Sequence, residues 1–264
     1  MPALTDLADI RARLERDRSW AAFSLADLDP PLSEHARWFG PASGTGVVLV
    51  YGAYSPAIVV CHGDIDECDL ALAEDEVRAC TRTAYLNMAP EQAHVLQAHF
   101  PTFEQRAMVR MVLTHAQEVA SRGVDPRVER LHAGDLDTLR ALYAEEPPAF
   151  FLPSQLQSGV YYGVRDRGAL VAVAGTHVVS ETGRVAALGN VHTRSDARGR
   201  GLAAAVTQAV CRELLDRGIV TIVLNIVATN EPARRVYERV GFREYCRYAE
   251  GMASREIGAP AGHS

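Results

Sequence analysis

The 264-residue chain is long enough for two domains at about 100 to 200 residues each, and its 48% apolar and 23% charged content are those of an ordinary globular protein. A net charge of −6 argues against general affinity for nucleic acid or an anionic membrane, and no apolar run reaches the length that spans a bilayer. Five cysteines form no disulfide framework, and Met1 to Leu14, with Asp6 and Asp9 among its apolar residues, lacks the core of a secretory signal; a cytoplasmic monomer or homodimer acting on small molecules is expected.

Apolar and charged residues alternate at helical spacing from Ile10 to Arg18, and Trp20 to Leu28 continues until Pro30-Pro31 stops it, giving two short helices. Gly46 to Gly52 and Ala57 to Cys61 are β-branched runs around Tyr54-Ser55-Pro56, which reads as a hairpin. A helix over Asp69 to Ala79, a strand over Thr83 to Asn87, a helix over Pro90 to His99 with proline in its first turn, and a strand over Arg106 to Leu113 follow. Cys61, His62, Cys68 and Cys80 match no zinc spacing, so no metal is expected. A helix from His115 to Ser121 ends at Gly123 and Pro126 redirects the chain, which divides it into domains 1–123 and 124–264.

Val128 to Leu131 then reads as a strand and Asp135 to Tyr143 as a helix, broken by Glu145-Glu146-Pro147-Pro148. Val160 to Arg165 and Leu170 to Ser180 pair around Asp166-Arg167-Gly168. Arg184 to Thr193 is a short buried strand, after which the period changes. Leu202, Val206, Val210 and Leu214 recur every four residues, the stripe of a helix packed on a sheet. Between them lies Arg198-Gly199-Arg200-Gly201. A helix starts with N–H groups that lack partners and with the positive end of its dipole; two glycines bare those groups and two arginines add charge, so the expected ligand is a pyrophosphate. No Gly-Lys-Ser/Thr follows, as a phosphate-binding lysine loop requires, and the third glycine of a dinucleotide fingerprint is missing. Thr221 to Val227 is a second apolar strand, followed by Thr229-Asn230-Glu231-Pro232-Ala233 and Val236-Tyr237-Glu238-Arg239-Val240-Gly241-Phe242.

These two motifs, in this order, resemble the cofactor-binding segments of the GCN5-related N-acetyltransferase (GNAT) superfamily, and Gly189-Asn190-Val191-His192-Thr193 is similar to its FR47-like branch. The resemblance covers the second half of the chain. It implies an α/β fold, a mixed twisted sheet flanked by helices, with a GNAT domain in the C-terminal half. The N-terminal half has no Arg-Gly-x-Gly turn, and by resemblance to tandem members it is a smaller, degenerate GNAT-like domain without a cofactor loop. The implied reaction moves acetyl from acetyl-CoA to a primary amine of a small molecule, amino acid or peptide by direct attack in a ternary complex, without metal. Longer-chain or glycine-type N-acyl transfer and a non-catalytic acyl-CoA-binding module are the alternatives.

The resemblance also assigns residues. Strands over Leu188 to Thr193 and Ile222 to Val227 splay, the main chain at Val191, His192 and Thr193 binds the pantetheine arm, and Arg198, Gly199, Arg200, Gly201, Leu202 and Ala203 hold the diphosphate. Tyr237 stands where the family's tyrosine protonates the thiolate, or is an aromatic packed with Val236 and Val240. Asn230 contacts the cofactor or only caps a helix. Gly189 permits close approach or marks a bulge. Where one branch places a basic glutamate this chain has Val185, so His177 on the adjacent strand is the candidate base, with a core or pocket-wall role as the alternative and His192 as the second candidate. Ala149 to Leu156 resembles the variable helix and loop over the family's acceptor site, and Phe150 to Gln157, with the first half, would line the acceptor cleft.

Overall fold

The computed structural model describes residues 3–144 and 151–256; Phe150 and the Glu145-Glu146-Pro147-Pro148 break lie outside the described residues. In chain order the elements are β1 (Ala3–Leu4), α1 (Leu7–Leu14), α2 (Ala22–Ala26), β2 (Ala36–Phe39), β3 (Val47–Tyr51), β4 (Ala57–His62), α3 (Ile65–Ala73), α4 (Asp75–Cys80), β5 (Thr83–Met88), α5 (Ala93–His99) and β6 (Thr102–Leu113). There follow α6 (Ala116–Ser121), β7 (Val128–Arg130), α7 (Leu136–Tyr143), α8 (Pro153–Ser158), β8 (Tyr162–Asp166), β9 (Ala169–Ser180), β10 (Val185–Thr193), α9 (Leu202–Asp216), β11 (Thr221–Val227), α10 (Glu231–Val240) and β12 (Phe242–Ser254). The fold is α/β, with mixed sheet and flanking helices, as the sequence implies.

The chain forms two compact units. The first holds the described residues up to Val109, Val227–Thr229 and the chain from Cys246; the second holds Arg110–Ile226 and Asn230–Tyr245. Compactness thus divides the chain inside β6 and β12, whereas the division at residues 123 and 124 follows chain order and falls on the connection from α6 to β7.

In the first unit β1, β2, β3 and β4 pair antiparallel in sequence, β4 and β5 pair parallel, and Ala249–Ser254 of β12 lies antiparallel on β5. Phe39, Val48 and Val50 pack against Cys68, Leu72 and Val77 from the helices. In the second unit β7, β8, β9 and β10 pair antiparallel in sequence and β10 pairs parallel with β11. The two units repeat one plan: an antiparallel hairpin (β3–β4, β9–β10), then a helical crossover to a parallel strand (β5, β11). Leu202, Val206, Val210 and Leu214 of α9 are all buried, each contributing about 1.5–3 kcal/mol against exposure. The opposite layer is Leu139, Leu142 and Tyr143 of α7 and Leu156 of α8, packed on Tyr161 and Val173. Arg167 and Gly168, at φ +51° and +85°, make the two-residue β8–β9 turn whose twist suits a hairpin.

Several elements differ from the sequence reading. The first helix starts at Leu7 because the Asp6 carboxylate accepts from the N–H groups of Ala8 and Asp9, and the second shrinks to Ala22–Ala26. The helix read over Asp69 to Ala79 is two helices, α3 starting at Ile65 behind the cap Asp64, and α4 after Glu74, whose extended ψ of 138° breaks the run. β2 and β12 were not expected: β2 has four residues, too few for a period, and Arg243, Glu244, Arg247 and Glu250 interrupt the apolar pattern of β12. Asp27, just past α2, is 7% exposed, and burial pushes its carboxyl up to about 8.

Candidate active site

β10 leads into the glycine turn and α9 leads away from it. Gly199 and Gly201 stand at φ +77° and +75°, a conformation that costs other residues about 1–2 kcal/mol, and a Cβ at either would meet nothing within 4 Å. α9 starts on Gly201 with no side-chain cap, which leaves the N–H groups of its first turn without a side-chain acceptor. Arg198 Nε donates to the Thr193 carbonyl at 3.1 Å and ties the turn to the end of β10. Arg200 pairs with Asp166 at 3.0 Å on the exposed surface, an attachment weak enough to yield to a diphosphate.

The matching junction of the first unit, from β4 to α3, is closed to anions. The Asp64 carboxylate accepts from the N–H groups of Asp66 and Glu67, and the Glu67 carboxylate accepts from those of Thr45 and Gly46 at 2.8 and 2.6 Å. Two accepting carboxylates, with that of Asp66 beside them in the first turn, thus stand where the second unit presents bare amides and two guanidinium groups.

β10 and β11 pair from Val185/Thr221 to Leu188/Leu224, and the pairing stops there although β10 runs to Thr193 and β11 to Val227. The two strands form a fork. Pairing of β10 with β9 is also interrupted twice, with His177 as an extra residue opposite Ala187-Leu188 and again at Asn190-Val191, where Asn190 stands at φ +55°. Bulges of this kind re-aim side chains. Here the first lays the His177 imidazole over Gly189, where a Cβ would overlap the ring. Gly189 therefore serves a close approach, by His177, and the bulge falls on the residues after it. In the first unit β4 and β5 pair from Ala57/Ala84 to Val60/Asn87, and the next carbonyl, Cys61, accepts from Trp20 Nε1 at 3.1 Å and Gln92 Nε2 at 2.9 Å. That fork is plugged by the chain's own side chains.

A buried polar network fixes the Asn190 bulge. Tyr143 donates to the Asn190 carbonyl at 2.6 Å, while Asn190 Nδ2 donates to the Tyr161 hydroxyl at 2.8 Å and to Gln155 Oε1 at 3.1 Å. Burial raises both phenols above their ordinary range, which keeps them protonated as donors. Phe151 and His192 flank the Tyr143 ring at 5.3 and 6.0 Å between centroids.

On α10, Tyr237 is 8% exposed and meets Phe242 edge-on at 6.1 Å; burial raises its phenol too. Asn230 Oδ1 accepts from Ala233 N at 3.1 Å, so the residue caps the helix. Among the described residues no group of three or more His, Cys, Asp or Glu is placed to hold a metal, and no helix is long and apolar enough to cross a membrane.

The profile of the FR47-like protein family matches residues 161–250. Mycothiol acetyltransferase from Rhodococcus jostii (strain RHA1) is 32% identical over 137 residues, 47% of this chain and 44% of that protein, so the match spans less than half the length of the curated relative. Among solved structures, a GCN5-related N-acetyltransferase from Kribbella flavida, 18% identical, covers 91% of this chain and 97% of its own at a TM-score of 0.62. A tandem GNAT protein from the clavulanic acid biosynthesis pathway, 13% identical, covers 97% and 98% at 0.58. Residues 161–250 match the FR47-like profile, and the chain shares the fold of these GNAT structures.

Seen as a GNAT unit, the second half brings together much of what the sequence singled out. Gly189, Val191, His192 and Thr193 form one arm of the fork, His177 lies over its mouth, and Arg198 to Ala203 close the turn beyond it; Tyr237 and Asn230 stand apart on α10. The sequence reading missed Asn225 and Arg110. Asn225 is the first residue of β11 past the last parallel pair, and Arg110 Nε donates to its Oδ1 at 3.0 Å. A lone amide in the apolar run Thr221–Val227, and an arginine inside the apolar end of β6, were the available signals.

Proposed function

We propose that the second unit transfers acetyl from acetyl-CoA to a primary amine in a ternary complex, in a cytoplasmic enzyme whose chemistry lies within residues 124–264. The contrast between two helix starts carries this reading: α9 opens on uncapped amides beside Arg198 and Arg200, α3 on carboxylates. The residues present therefore fit a diphosphate in one unit and refuse it in the other. Arg198 to Ala203 would hold that group, and the main chain of Val191, His192 and Thr193, beyond the last β10–β11 pair, would hold the arm. Asn230 keeps its Nδ2 for the cofactor while Oδ1 caps α10. When bound, acetyl-CoA supplies the activated acetyl group.

The chain's own groups would do the rest. His177 takes the proton of the amine, held at the fork mouth by the β9 bulge and the absence of a Cβ at Gly189. Backbone N–H groups on the open edge of β10 stabilise negative charge on the carbonyl oxygen. Tyr237, kept protonated by burial, holds a proton for the thiolate. The first unit, with its plugged fork, has a structural role. Calorimetric titration with acetyl-CoA, competed by adenosine 3′-phosphate, followed by a thiol-release screen of amines, tests the proposal. Saturable heat and acceptor-dependent thiol release are expected, and folded protein that gives no heat with acetyl-CoA would overturn it.

A further inference from the structure

The fork mouth carries one polar group that the proposed chemistry does not use. Leu188 and Leu224 are the last parallel pair, so Gly189 and Asn225 are the first residues past it, one on each arm. Side chains at equivalent positions of adjacent strands project to the same face. That face is the one covered by α7 and α8, because Gly189 pairs with Gly175, and Gly175 lies under the ring of Tyr161, which packs with both helices. His177 and Asn225 therefore flank the place where two reactants would meet.

Asn225 is oriented. Arg110 Nε has only a proton to offer, so the atom 3.0 Å away must be the amide oxygen, and Nδ2 points away from Arg110. Nδ2 makes no hydrogen bond to any described residue, and Asn225 is only half-buried. Arg110 itself is 4% exposed, a fixed positive charge in a poorly screened position behind the amide. The result is an N–H donor, backed by a cation, aimed at an oxygen of a ligand at the fork mouth.

Resting on the acetyltransferase reading, we infer that Asn225, positioned by Arg110, determines specificity by donating to a carboxylate beside the acceptor amine, so that the acceptors are α-amino acids rather than simple amines. A carboxylate one carbon from the reacting nitrogen brings its oxygen to the same mouth, and the buried guanidinium favours it over a neutral group.

The test is thiol release with the twenty common α-amino acids and their decarboxylated counterparts, such as phenylalanine against 2-phenylethylamine, for wild type, Asn225→Ala and Asn225→Asp. Wild type should turn over at least one amino acid and prefer it to its counterpart. Asn225→Ala should raise KM for that amino acid roughly 10- to 100-fold, the loss of one charge-assisted hydrogen bond, with kcat within a few-fold and the simple amine unaffected. Asn225→Asp keeps an acceptor for Arg110, so it should fold as wild type does, and it should lose the preference. Turnover of simple amines alone or equally overturns the inference. So does a fall in kcat shared by all acceptors, which would place Asn225 on the thioester oxygen, or silence toward every amino acid in protein that binds acetyl-CoA. Silence without acetyl-CoA binding would instead sink the acetyltransferase reading, and with it the inference.

Discussion

Asp27→Asn should stabilise the first unit in alkaline solution and leave it nearly unchanged in acid. Burial lifts the Asp27 carboxyl from 3.8 to about 8 in the folded protein. Below pH 3.8 the group is neutral in both states and contributes nothing. Between 3.8 and 8 the unfolded chain has released the proton that the folded chain still holds, so stability falls as pH rises, by about 1.4 kcal/mol per pH unit. The full shift of about 4 units corresponds to about 6 kcal/mol, and the interval from pH 5 to pH 8 to about 4 kcal/mol, a large share of the 5–15 kcal/mol that folded domains possess. Asparagine has the same shape and no proton to lose, so it removes this slope. The chain's two tryptophans, Trp20 and Trp38, both lie in the first unit, so urea denaturation followed by tryptophan fluorescence reads that unit directly. At pH 5, about one unit above the unfolded value, the variant should already be ahead by about 1.6 kcal/mol; at pH 8 it should be more stable by several kcal/mol. Parallel pH dependence of the two proteins would refute the reasoning, because it would mean that the carboxyl ionises in the folded state as easily as in water.

Arg198→Ala with Arg200→Ala should weaken acetyl-CoA binding roughly 10- to 100-fold in calorimetry and flatten its salt dependence, as two guanidinium–phosphate contacts require; a change below twofold would contradict the placement. Gly189→Ala, whose methyl must displace the His177 imidazole, should lower kcat about tenfold or more with little change in melting temperature, and undiminished turnover would remove His177 from the chemistry. Tyr237→Phe should lower kcat about 100-fold while acetyl-CoA affinity stays within twofold; equal loss of both would assign the residue to packing against Phe242 instead.

Much of the second unit was legible because its signals are local. The four-residue spacing of α9, the Arg-Gly-Arg-Gly turn and the Asp166-Arg167-Gly168 hairpin each depend on neighbours within a few positions, and each forms where read. The fork mouth was legible only in part. His177 could be singled out as a titratable residue in an apolar strand, but the bulge that aims it appears only when β9 and β10 are set in register. Asn225 and Arg110 are 115 positions apart, and their pairing depends on which strands become neighbours, which no window of sequence contains. The first unit was harder. Its helices take their starts from Asp6 and Asp64, short caps before weakly periodic segments, and β2 has too few residues to show a period. That it lacks a cofactor loop could be read from a missing motif; that Trp20 and Gln92 converge on Cys61 could not.

That convergence limits what engineering could restore. Transplanting Arg198-Gly199-Arg200-Gly201 into the β4–α3 junction would recreate a seat for a diphosphate, yet the lane leading inward from it would still end at an indole and an amide already bonded to the Cys61 carbonyl. Opening a second donor site would mean evicting Trp20, a wedge that also rests on Met108 and Tyr248, so the indole serves as masonry for its own half of the molecule.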